Sequence, residues 1–314
     1  MPNVYFPIIV KEKEGYLGVE IVGSISDKLQ FLMPGSLVRI IIYWHVIEAT
    51  KGTYAWSSDL DAGLAAVRAK NCRILLNLTG CPTWARLYPR PCSPPKQKNF
   101  QDYVNFVKAV CARYSPNFVE LWNEPDVDKD YLDPACYWMG CWGDEDDTYY
   151  GGTYYGKMLK LAYPAIRVAY PHVGVFAGSL LLPRDGTPAG NKQDKFILGA
   201  LSVPGANCDY ISFHSYTKYP NTGYDRPFQK ADWLLANTGH KSFMTETSLL
   251  SNTDGAVFRS AQASYFQHLC QNFRSPLVGF IWYTLANHEY MNSDMVKNNL
   301  KQPVWNKYQE AMSW

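Results

Sequence analysis

Eight short apolar, β-branched runs punctuate the chain: Tyr16–Val22, Leu37–Trp44, Cys72–Leu78, Phe118–Trp122, Val173–Gly178, Cys208–Phe213, Lys241–Thr245 and Leu277–Tyr283. Amphipathic stretches of helical period separate them, at Ser58–Lys70, Asn99–Tyr114, Thr153–Ala169, Lys192–Leu201, Arg226–Asn237 and Gly255–Phe273. Pro303–Met312 follows the last run, and only the connection around Ser24–Leu32 is too short for more than a brief helix. Alternating strands and helices call for parallel strands joined by right-handed crossovers, because a parallel return needs a long connection. Eight such units in 314 residues predict an α/β fold closed as a (β/α)8 TIM barrel. A doubly wound sheet usually uses fewer strands at this length, and no Gly-x-Gly-x-x-Gly follows the first one. With no compositional break, residues 1–314 are expected to form a single barrel domain, residues 1–15 being an N-terminal extension.

Charge narrows the partners. Lys plus Arg number 30 and Asp plus Glu 28, a net +2 that gives no electrostatic case for nucleic acid or an anionic membrane. No apolar run approaches the roughly 18–20 residues of a membrane helix. Aromatic content is high, with 14 Phe, 10 Trp and 23 Tyr, and flat faces with polar tips suit sugar rings as well as a large core. The six histidines show no His-Glu-x-x-His or His-x-His spacing, so no metal site is expected. Asp126–Asp130 begins like a calcium loop, but Tyr131 stands where glycine is needed and Tyr137 where a glutamate belongs. Of eight cysteines, Cys81 with Cys92 and Cys136 with Cys141 lie close together in polar or Gly/Pro-rich stretches. Two short-range disulfides with these pairings would fit an oxidising compartment, and a secreted, monomeric protein is the expectation.

Long connections after strands three, four and eight fall on the carboxyl face of a barrel, where active sites are built. The segment Phe118–Asp126 (FVELWNEPD) is an apolar strand ending in polar residues and a proline stop, with Glu124 at its end. Lys241–Ser248 (KSFMTETS) repeats the design three strands later, with Glu246 at the strand terminus. Strands four and seven face each other across eight, so Glu124 and Glu246 would meet over the mouth. Two such carboxylates can divide acid/base and nucleophilic roles if their surroundings separate them. Alternation puts Trp122 and Glu124 on one face and Asn123 on the other. Asn123 and Glu124 reach one site only if the strand twists or bulges at its end.

These residues resemble those of clan A retaining glycoside hydrolases, the TIM-barrel group that contains family 5 cellulases and family 39 β-xylosidases. Trp122-Asn123-Glu124-Pro125 is similar to the clan's Asn-Glu-Pro signature on strand four, and Thr245-Glu246 to its strand-seven nucleophile. Arg39 matches the arginine beside the nucleophile, His214-Ser215-Tyr216 the clan's His-x-Tyr, and Trp282 its sugar-stacking tryptophan. The segment from Trp44 to Trp56 resembles the one after strand two in family 39-like members. No segment here corresponds to the extra β-sandwich of family 39 xylosidases. The resemblance implies a carbohydrate substrate, no cofactor, and hydrolysis of β-glycosidic bonds by double displacement, with Glu124 as acid/base and Glu246 as nucleophile. Arg39, Asn77, Asn123, His214, Tyr216 and Trp282 would bind substrate, and the Trp282–Tyr283 peptide bond would be cis. Each has a plainer alternative: the glutamates as ion-pair partners of Arg39, Asn123 as a helix cap, His214 as a structural histidine, Tyr216 and Trp282 as core aromatics. Asn77 serves equally as a sugar contact or a loop hydrogen-bonder. A carbohydrate-binding barrel without chemistry, and a transglycosylase using the same two glutamates, are the rival functions.

Overall fold

The eight apolar runs become eight parallel strands: β1 Tyr16–Glu20, β2 Leu37–Tyr43, β3 Arg73–Thr79, β4 Phe118–Asn123, β5 Gly174–Leu180, β6 Tyr210–Lys218, β7 Ser242–Leu250 and β8 Leu277–Trp282. They pair in sequence order, and β1 returns to β8 with Tyr16 opposite Gly279 and Val19 opposite Trp282, closing the barrel. The computed structural model describes residues 15–130, 137–181, 192–221, 223–288 and 290–313, so all but the end of the expected extension lies outside them. The helices are α1 Trp44–Ile47, α2 Ser58–Ala69, α3 Phe100–Tyr114, α4 Gly152–Ala169, α5 Lys192–Ser202, α6 Arg226–Thr238, α7 Ala256–Gln271 and α8 Pro303–Met312. A 3-10 helix at Ser26–Phe31 fills the short first connection. Among the described residues, no helix is long and apolar enough to cross a membrane.

Helix limits follow local chemistry. Ser57 caps α2 by accepting from the Leu60 amide, and α6 starts with a proline in its first turn and ends at Gly239 with φ +74°. The buried stripe of α3, Phe100, Tyr103, Val104, Phe106, Val107, Val110 and Cys111, has helical spacing and lies on the barrel. Burying each large side chain of this kind contributes roughly 1.5–3 kcal/mol, the main force holding the helical ring on the sheet.

Inside the barrel, side chains stack in layers. An apolar plug of Leu37, Leu75, Phe118, Phe176, Phe243 and Ile281 fills the amino-terminal end. Phe176 packs against Phe118 and Phe243 at ring separations of 5.1 and 5.2 Å. Gly279 makes room for the plug, since a Cβ there would lie 2.3 Å from Phe243 Cζ. Above the plug the interior turns polar: Glu20, Arg39, Asn77, Glu120, Ser179, Ser212 and His214 are all buried. β6 and β7 run on to Lys218 and Leu250, past the limits read from the sequence, because their upper halves are polar yet fully laddered. Glu246 therefore stands within β7 and not at its terminus.

Candidate active site

Two backbone irregularities aim the glutamates. At the end of β4, Trp122 and Glu124 have φ of +83° and +45°, left-handed values that cost of order 1–3 kcal/mol each. The change of direction breaks alternation. Trp122 turns outward onto Tyr103 and Trp142, while Asn123 and Glu124 both point inward. Neighbours hold this backbone in place: the Trp122 carbonyl accepts from Asn77 Nδ2 at 2.9 Å, and the Glu124 amide donates to the Ser179 carbonyl at 3.0 Å. On β7 the ladder with β6 slips by one residue between Phe213–Met244 and His214–Glu246. That bulge at Thr245 returns Glu246 to the inner face, which strict alternation from inward-facing Phe243 would deny it.

Arg39 is the electrostatic centre. It is fully buried, and its guanidinium donates to Glu20 Oε2 at 2.5 Å, to Glu120 Oε2 at 2.8 Å and to Glu246 Oε1. Its Nη2 donates to Asn123 Oδ1 at 2.6 Å, so one side chain fixes the nucleophile candidate and the residue before Glu124. Burial would raise the Glu120 carboxyl, but Arg39, His214 and the Asn77 amide hold it below its ordinary value. Burial dominates at Glu20, with Glu246 and Glu120 adding to it, and pushes that carboxyl from 4.5 up to about 8.

His214 bridges the two glutamates. Its Nδ1 lies 2.8 Å from Glu124 Oε1, and its Nε2 stands 3.3 Å from Glu246 Oε1 without hydrogen-bonding alignment. Burial pushes His214 down to about 4, so the ring is neutral near pH 7. Tyr216 donates its hydroxyl to Glu246 Oε2. A carboxylate oxygen of Glu124 and one of Glu246 lie within 4.8 Å of each other. Glu124, His214 and Glu246 are close enough to share a cation, but the Arg39 guanidinium on Glu246 opposes a second positive charge there. Aromatic side chains ring the mouth. Tyr283 packs against Tyr216, His288 and Tyr290, and Tyr43 against His45 and Tyr137.

The structure thus gathers Arg39, Asn123, Glu124, His214, Tyr216 and Glu246 into one site. Asn77 lies one layer lower, fully buried, donating to Glu120 Oε2 at 2.7 Å and to the Trp122 carbonyl. It supports the site and offers no surface to a sugar. Trp282 is not at the site either. Fully buried, it donates Nε1–H to the Ser293 carbonyl and packs against Tyr265 and Phe266 of α7. The non-proline cis bond falls one residue later than expected, at Tyr283–Thr284, and Tyr283 faces the cleft instead. Trp142 is likewise loop core, against Phe100, Trp122 and Tyr155.

The expected disulfide pairing is also corrected. Cys141 bonds to Cys92, 49 residues away, with a Cα separation of 5.3 Å, while Cys81 is a buried free thiol. Cys136 lies outside the described residues. The reason is that the loops after β3 and β4 run side by side, the Cys141 amide donating to the Cys92 carbonyl at 3.0 Å. Sequence reasoning missed Glu20, Glu120, Ser179 and Tyr283. For Glu20 and Glu120 a signal existed: an acid inside an otherwise apolar strand is costly unless paired.

The profile of the cellulase family, glycosyl hydrolase family 5, matches residues 35–289. No curated protein sequence matches the chain. Among solved structures, a family 39 glycoside hydrolase from the gut symbiont Bacteroides cellulosilyticus WH2 is similar, with TM-score 0.64 and 17% identity over 95% of this chain and 62% of that one. A β-glucosidase shares 14% identity at TM-score 0.67, covering 92% of this chain and 86% of that one. A family 30 endoxylanase from Clostridium papyrosolvens C71 shares 13% at TM-score 0.64, covering 97% and 72%. The chain spans less than two thirds of the family 39 enzyme, and identities this low carry the fold alone. The matched profile covers most of the chain, including Glu124, Glu246, Arg39 and the His214–Tyr216 segment, and on that ground the chain belongs to glycosyl hydrolase family 5.

Proposed function

We propose that the protein is a retaining glycosidase that hydrolyses β-glycosidic bonds, with Glu246 as nucleophile and Glu124 as acid/base. The observation that carries this is the approach of the two carboxylates within 4.8 Å. Retaining enzymes hold the pair about 5–5.5 Å apart, whereas inverting enzymes need roughly 6.5–9.5 Å to admit a water. Glu246 attacks the anomeric carbon as Glu124 gives its proton to the leaving oxygen. Water then loses a proton to Glu124 and displaces Glu246, releasing the sugar with its configuration kept. Arg39 and Tyr216 orient the attacking carboxylate. Neutral His214 accepts from the acid form of Glu124 at Nδ1 without adding charge. Asn123 gives one amide proton to the Trp138 carbonyl at 2.9 Å and offers the other to the sugar 2-hydroxyl, and Tyr283 offers its ring to the sugar face. The family's cellulases and the neighbouring β-glucosidase and endoxylanase support a β-linked substrate. Both glutamates are in place, which favours chemistry over a barrel that only binds sugar. Secretion belongs to the same proposal, since the Cys92–Cys141 bond suits an oxidising compartment.

A panel of aryl 2-deoxy-2-fluoro-β-glycosides tests the mechanism. One member should leave a covalent adduct on the Glu246 peptide, and its mass names the sugar. Glu246→Ala should lose nearly all activity. Glu124→Ala should keep the first step with an activated aryl leaving group, and added azide should restore turnover as a β-glycosyl azide. Near wild-type activity in both variants would refute the assignment. Inverted product by NMR would keep the hydrolase and sink the covalent intermediate.

A further inference from the structure

Arg39 is one cation facing three buried carboxyl groups, Glu20 from β1, Glu120 from β4 and Glu246 from β7. Were all three ionised, the group would carry two uncompensated negative charges above an apolar plug, where desolvation makes them expensive. One proton relieves that, and the hydrogen bonds indicate its place. Glu120 accepts from Arg39 Nε and Asn77 Nδ2, and Glu246 from Arg39 Nη1 and Tyr216. The Glu20 carboxyl has a single donor among the described residues, the same Arg39 Nη1 that serves Glu246. Glu20 is also buried, at 1% exposed.

We propose that Glu20 is a positioning residue of the active site, a neutral carboxylic acid that shares Arg39 Nη1 with Glu246 and fixes the guanidinium without competing for its charge. The charge of Arg39 is then left to Glu120 and to the attacking carboxylate. The other titratable groups whose fields reach Glu20 are Lys28 from the 3-10 helix, Tyr43 at the end of β2, Tyr216 on β6 and Tyr283 after β8. Burial raises all three phenols, so they stay protonated with Glu20 near neutral pH. Lys28 is pulled down by its own burial and donates to the Val22 carbonyl, leaving Arg39 as the cation in contact. The upward displacement of Glu20 to about 8 agrees with this account.

The proposal rests on Glu246 as nucleophile, and its test separates the two. Glu20→Gln is neutral, similar in shape and still an acceptor. Its kcat/KM should stay within about threefold of wild type from pH 5 to 7, and the ratio should change above about pH 8, where only the wild type loses a proton. Glu20→Leu removes the acceptor, and kcat should fall about tenfold or more with KM little changed, because Arg39 is no longer held. A constant, pH-independent loss in Glu20→Gln, or wild-type kcat in Glu20→Leu, would overturn the proposal. Where Glu20→Leu fails to fold, infrared spectroscopy of the full chain decides. A protonated-carboxyl band at pH 7 that vanishes in Glu20→Gln supports Glu20 as the acid, and no change between the two refutes it. Glu246→Ala is run in parallel: activity there defeats the nucleophile assignment, while the infrared result still reports on Glu20.

Discussion

Breaking the Cys92–Cys141 bond is the sharpest test of how the long loops are tied. The disulfide closes a loop of 49 residues, joining the proline-rich connection after β3 to the acidic, aromatic one after β4. In the chain-entropy model a 15-residue loop gives about 3 kcal/mol and a 100-residue loop about 4.7, so this one should contribute about 4 kcal/mol. The expected pairing of Cys81 with Cys92, a much shorter loop, would have given only about 3 kcal/mol. Removal has a local consequence as well. The Gly140 amide donates to the Asn123 carbonyl at 2.7 Å and the Trp142 amide to the Pro125 carbonyl at 3.1 Å, either side of Cys141. The strained turn carrying Glu124 is thus clamped by the residues the bond anchors. A Cys92→Ser/Cys141→Ser chain should unfold at lower urea with a somewhat steeper slope, because its unfolded state is no longer cross-linked, and should lose kcat before its circular dichroism changes. Equilibrium unfolding and steady-state kinetics on the oxidised wild type and the double variant give both numbers. A loss below about 0.5 kcal/mol, or a non-reducing peptide map joining Cys92 to Cys81, would refute the reasoning.

Other perturbations have equally definite outcomes. Tyr216→Phe removes a hydrogen bond to a charged group worth up to about 1.5–3 kcal/mol of stability, so the urea midpoint should fall, and kcat/KM should drop as well because Glu246 loses one of the two donors that orient it. Glu120→Ala leaves Arg39 Nε and Asn77 Nδ2 without their acceptor in a sealed layer, and should cost about 3–5 kcal/mol by urea titration. Stability should also vary with pH in two opposed windows. The native state holds the Glu20 proton up to about 8 against 4.5 when unfolded, so stability declines as pH rises between them. Native His214 refuses a proton down to about 4 against 6.5 when unfolded, so stability declines as pH falls through that range. The two offset each other between 4.5 and 6.5, and a plateau there is expected. In Glu20→Gln the alkaline decline should flatten, and an unaltered decline would count against the linkage.

The barrel was legible because its evidence is periodic and repeated. Each strand is an apolar run between helical stripes, and misplaced ends, even those of β6 and β7 that run on to Lys218 and Leu250, do not change the topology. That Glu124 and Glu246 come together was legible for a related reason, since an acid in an apolar strand has few structural explanations, although Glu246 lies within β7 and not at its end. Alternation failed at Trp122, where a positive φ reverses the side chain, and at Thr245, where a bulge inserts a residue. Both breaks are local backbone events with no signature in hydrophobic pattern, and both lie at the catalytic candidates. Trp282 was misplaced because a tryptophan closing a strand satisfies a core and a sugar site equally well. The disulfide was misplaced because proximity in sequence was set against proximity of adjacent βα loops, and the barrel decides for the latter.

The polar layer explains why the backbone exceptions persist. A left-handed tryptophan and a left-handed glutamate within three residues would relax to ordinary strand if nothing opposed them. Opposition comes from below. Asn77 holds the Trp122 carbonyl, Arg39 and Ser179 hold Asn123 Oδ1 at 2.6 and 2.8 Å, and the Ser179 carbonyl holds the Glu124 amide. Asn77 and Arg39 are in turn fixed by Glu120, two residues before Trp122 on the same strand. The strand thereby supplies, through Glu120, the anchor for its own distorted end. A substitution in this layer should therefore first disturb the aim of Glu124, with damage to the barrel following only when Arg39 is left unpaired.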